Sequence, residues 1–221
     1  MSKFLAPIHS WLFNKIKIHE DLEREIETSF KSKYGEEVTN IVNKSISAYG
    51  DRLQSDNLED IIDESNIHGW LQQNITVVET RQAAILGDLF DKYGDDGLQL
   101  AHSIYKENGA KNGELAKEEV TIENPEDAYK ALNNYILDGM PCDSAGSVTK
   151  SDKDVLEAVQ NSCLHINYWK TAGVDPEKMY NLRNEWKAAF INAIEPNFEY
   201  SVNVDKISDD NRSFVYRVTR K

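Results

Sequence analysis

Leu5, Ile8, Leu12, Ile16, Ile26 and Phe30 recur at spacings near three, four and seven, with His19 on the same line. This is the stripe of one amphipathic helix. Pro7 suits its first turn and Gly35 a left-handed residue just past its end. A shorter helix is predicted from Glu36 to Ala48, stopped by Gly50.

The same pattern returns further on. IHSWLFNKIKIHE, at 8–20, is echoed by IHGWLQQNITVVE, at 67–79. A shift of 59 positions carries Ile8, His9, Trp11, Leu12, Ile16, Glu20, Ile26, Tyr34, Gly35 and Gly50 onto Ile67, His68, Trp70, Leu71, Ile75, Glu79, Ile85, Tyr93, Gly94 and Gly109. An ungapped match of this length marks residues 8–50 and 67–109 as a tandem duplication of one helical hairpin. The second copy is expected to start at a Ser65 or Asn66 cap, break at Gly94 and stop at Gly109. Four helices then fill a first region, 1–112.

The remainder, 113–221, changes character. Asn124 before Pro125 opens a helix running toward Gly139. Strands are expected near Gly146–Lys150 and Val155–Ser162, helical turns over HINYWKTAG and a patterned helix over Pro176–Ile194. A closing hairpin turns at SDDN, 208–211. The fold class is α+β: duplicated helical hairpins followed by a four-stranded, mainly antiparallel sheet with helices packed on one side.

Charge narrows the function. A net charge of −13 over 221 residues argues against binding nucleic acid, where affinity depends largely on Lys and Arg displacing counterions. Nothing approaches a membrane span, and no small-residue cleavage pattern follows an apolar block. The expectation is a cytoplasmic protein with a small-molecule ligand or substrate, no nucleic-acid or membrane partner and no cofactor. The only cysteines, Cys142 and Cys163, are read as free thiols.

Two constellations carry chemistry. His9 and Glu20 share a helix face about 16 Å apart along the axis, so one helix does not bring them together. Antiparallel packing of the two long helices predicts His9 beside Glu79 and His68 beside Glu20. Such pairs serve as buried hydrogen-bond partners, or alternatively begin a metal site from His9, Glu20, His68 and Glu79. Further on, Cys163 follows a strand and precedes a helix expected near Leu164, where the helix terminus favours a thiolate. His165 is two residues away, a nucleophile and base combination, while a buried apolar role is open to the thiol as well.

The run RQAAILGDLFDKYG (81–94), the strand ending at Cys163 and the closing NLRNEWKAAFINAIEPNFEY (181–200) with its hairpin resemble the L-2-amino-thiazoline-4-carboxylic acid hydrolase-like family over about 79–219. The resemblance implies hydrolysis of a cyclic amidine C–N bond to an N-carbamoyl amino acid. It casts Cys163 as nucleophile, His165 as base and Glu185 as anchor of the amidine. Leu182 and Arg212 stand where the family places further cysteines. The alternative is a non-catalytic binding or sensing protein whose cleft grips a ligand through Tyr168, Trp169 and Trp186.

Overall fold

The computed structural model describes residues 6–140, 143, 146–206 and 212–221. Its elements run α1 (Pro7–Tyr34), α2 (Glu37–Tyr49), a 3-10 turn (Leu58–Asp60), α3 (Ile67–Glu119), α4 (Pro125–Tyr135), β1 (Gly146–Ser151), β2 (Val155–Gln160), α5 (Ile166–Thr171), α6 (Pro176–Ile194), β3 (Phe198–Lys206) and β4 (Arg212–Arg220). They form two compact units, Met1–Leu100 with Tyr168–Asp175, and Ala101–Asn167 with Pro176–Lys221.

In the first unit the two echoing stretches fall on two long helices. The turn glycines Gly35 and Gly94 both adopt positive φ, 85° and 56°, and Gly94 breaks α3 into segments 67–93 and 95–119. Repeat-related apolar residues are core in both copies: Leu12 and Leu71, Ile16 and Ile75, Ile26 and Ile85 are all buried. Asn66 caps the second long helix by accepting from the Gly69 N–H at 3.2 Å.

The two long helices run parallel rather than antiparallel. Like residues therefore meet: His9 and His68 approach at 3.3 Å between Nε2 atoms, and Tyr34 stacks on Tyr93 with ring centroids 3.8 Å apart. The expected cross-pairs of His9 with Glu79 and of His68 with Glu20 are accordingly not formed. The chain turns back at Gly35, so that Arg52 and Leu53 after α2 reach Glu23 and Glu20 of α1, and a second reversal through residues 50–66 restores the original direction. Glu20 instead accepts from Arg81 at 2.7 Å, and Glu23 accepts from Arg81 at 2.8 Å and from Arg52 at 2.7 Å. The Arg81 side chain is completely buried and also donates to the Gly50 and Asp51 carbonyls.

In the second unit β1, β2, β4 and β3 form an antiparallel sheet in that order, so the fold is α+β. Alternation on β2 and β4 turns Leu156, Ala158 and Gln160, and Phe214, Tyr216 and Val218, toward the core. Helix α4 starts at Asn124, whose side chain accepts from the Glu126 and Asp127 N–H groups.

Gly109 does not stop a helix. α3 continues to Glu119, and a Cβ at Gly109 would lie 2.4 Å from the Trp186 carbonyl oxygen. Gly113, one turn later, meets the Phe190 oxygen in the same way at 2.5 Å. These two glycines let the later part of α3 pack directly on the α6 backbone. Among the described residues no helix is long and apolar enough to cross a membrane. The predicted SDDN turn and Cys142 lie outside the described residues.

Candidate functional site

Helix α6 presents two faces. Met179, Leu182, Trp186 and Phe190 enter the core. Beside them Tyr180, Arg183, Asn184 and Lys187, at i, i+3, i+4 and i+7, form a polar stripe along one wall of a recess. Opposite are Gln160 of β2 and Phe214 and Tyr216 of β4, with Asp138 closing one end where the chain leaves α4. The recess is small and partly open to solvent.

Asp138 is the electrostatic hub. It accepts from Arg183 at 2.6 Å and lies 2.8 Å from His165 Nε2, with the Lys187 ammonium at 3.4 Å. Burial alone would raise its pKa, but Lys187, Arg183 and His165 together hold it well below the usual carboxylate range. Burial pulls the Lys187 ammonium below the usual lysine range, against the opposing pull of Asp138. The Lys187 ammonium also lies 4.5 Å from the centre of the Tyr216 ring. Tyr216 donates its hydroxyl to Gln160 Oε1 at 2.8 Å, and burial raises its pKa. Burial raises that of Tyr180 as well.

Cys163 and His165 both line this recess. The thiol meets Tyr180, and the imidazole Nε2 meets Asp138. Helix α5 begins at Ile166 and spans six residues, so Cys163 precedes it rather than occupying its first turn. Glu185 lies outside the recess: it pairs with His102 at 2.7 Å, its side chain nearly half exposed.

The three aromatic candidates do not line the recess. Trp186 is buried, donates to Asn108 Oδ1 at 2.7 Å and stacks on Phe190. Trp169 is fully buried in the other unit, where the Tyr168 hydroxyl accepts from Gln72 at 3.1 Å. Among the described residues no three His, Cys, Asp or Glu side chains form a group able to hold a metal ion. The Asp138, Arg183 and Lys187 cluster was missed because the apolar face of α6 dominates its pattern. The polar stripe at helical spacing, from Tyr180 to Lys187, was the signal that could have found it.

No known protein family matches the chain, and no curated protein matches it. Among solved structures it is similar to one solved to probe the function of heme distortion in the H-NOX family, at 14% identity and a TM-score of 0.42, covering 89% of this chain and 92% of that one. It is also similar to a mutant structure of T. tengcongensis H-NOX, at 14% identity and a TM-score of 0.40, covering 91% and 96%. These findings correct the thiazoline-hydrolase resemblance: that family does not match, and the similar structures are H-NOX proteins. The residues behind the resemblance have structural roles here, Arg81 binding two buried glutamates and Glu185 pairing with His102.

Proposed function

We propose that the chain is a non-catalytic small-molecule-binding or sensing protein, with the recess of the sheet unit as its binding site. The observation that carries this reading is how the groups around the recess are engaged. The His165 Nε2 is held on Asp138 at 2.8 Å, and Cys163 faces Tyr180. Asp138 thereby fixes the imidazole among the other polar groups of the wall. What is left is a concave surface with aromatic walls and a few fixed polar groups, the usual character of a ligand site. The heme named with one of the similar structures is not assigned to this recess, which is too small for a macrocycle.

A protein-observed NMR screen of small fragments tests the reading. Bound fragments are expected to perturb the His165 and Tyr216 resonances and to be recovered chemically unchanged after long incubation. Turnover that disappears in Cys163→Ala, or binding that never touches these resonances, overturns it.

A further inference from the structure

The helical unit brings two imidazoles together at one end of its long helix pair. His9 lies in the first turn of α1 and His68 in the first turn of α3. Because these helices run parallel, the two Nε2 atoms stand 3.3 Å apart. His9 is buried and His68 exposed, so the pair is reached from solvent on one side. Ala6 donates its N–H to His9 Nδ1 at 3.2 Å, which puts the His9 proton on Nε2, between the rings.

The angle between the rings is informative. A hydrogen bond prefers donor, proton and acceptor in line. With about 1.15 Å from ring centre to nitrogen, an in-line pair spanning 3.3 Å would hold its ring centres about 5.6 Å apart. The observed separation is 5.3 Å, with the planes inclined at 64°. A tetrahedral zinc ion with two bonds of about 2.05 Å would hold the nitrogens about 3.3 Å and the ring centres about 5.2 Å apart. The rings thus converge on a common point at the spacing that such an ion requires.

We propose that His9 and His68 form a zinc site, one divalent ion replacing the proton between them. The site is separate from the recess and does not rest on its reading. Imidazole nitrogen is a preferred zinc ligand. Binding moves the His9 proton from Nε2 to Nδ1, so the Ala6 N–H gives up its acceptor and turns to water. That is one hydrogen bond at a helix end, whose net worth is modest. Among the described residues no third His, Cys, Asp or Glu joins the pair, and Glu20 is held by Arg81 instead. Water or a dissolved anion therefore completes the coordination, which makes this an open, exchangeable site rather than a closed structural one. The positive ends of α1 and α3 oppose a bare cation here but favour an anion such as chloride among the remaining ligands.

The test is calorimetry and NMR on the chelator-treated full chain, titrated with zinc chloride and, as a control that prefers oxygen ligands, magnesium chloride. Zinc is expected to bind saturably at one equivalent and magnesium not to bind. Zinc should shift the His9 and His68 ring resonances together with the Ala6 amide, the group that loses its acceptor. His68→Gln, at an exposed position, should fold normally and bind zinc at least about tenfold more weakly. His102→Gln, remote in sequence and paired with Glu185, should bind it as the unchanged chain does. Absence of saturable zinc binding would overturn the proposal. So would equal affinity in His68→Gln, or binding that shifts His102 or His165 and leaves Ala6 unmoved.

Discussion

Asp138 shows how one side chain can organise a site without belonging to any regular element. It lies just beyond α4, three-quarters buried, and faces two α6 cations and His165. Asp138→Asn keeps the shape and removes the charge, leaving Arg183 and Lys187 buried beside a neutral amide. Breaking a buried charge cluster in this way typically costs about 3–5 kcal/mol. Urea denaturation should show a loss of that size, and a change below about 1 kcal/mol would mean that solvent already screens the cluster. Arg81 plays the corresponding part in the helical unit. In the 59-residue echo it stands opposite Leu22, and from there it binds Glu20 and Glu23 of α1.

Helices α1 and α3 run side by side as a parallel pair joined at both ends by repeat-related rings, His9 with His68 and Tyr34 with Tyr93. A repeat spacing alone does not distinguish parallel from antiparallel copies, because both bury the same stripe. The later part of α3 follows a different rule. Intrinsic propensity says that Gly109→Ala should favour the helix by about 1 kcal/mol. The Trp186 oxygen 2.4 Å from the new Cβ reverses that sign, because the atom in the way is backbone and the helices must separate. We expect Gly109→Ala to destabilise by about 1–3 kcal/mol, measured by chemical denaturation. A stabilised variant would show that the α3 to α6 contact is looser than this geometry.

Acid sensitivity belongs to the molecule as a whole, since 38 acidic residues face 25 lysines and arginines. Asp138 gives it a sign. Its folded pKa is depressed, so between that value and the unfolded value near 4 the native state binds fewer protons. Its stabilisation is therefore complete above the unfolded value and is lost as pH falls through the folded one. The urea midpoint should drop below about pH 4, and Asp138→Asn should show a shallower acid limb; equal slopes would remove Asp138 from the account. The helices, the strands and the α+β class were legible in the chain itself, because periodicity and capping act between near neighbours. Asn66 and Asn124 could be read as caps, and Gly35 and Gly94 as breaks, from the residues around them. The pairing of His9 with His68, the packing role of Gly109 and the meeting of Asp138 with Arg183 and Lys187 were decided only in three dimensions. Each depends on how separate elements dock, and local spacing leaves that docking open while burial and charge compensation resolve it.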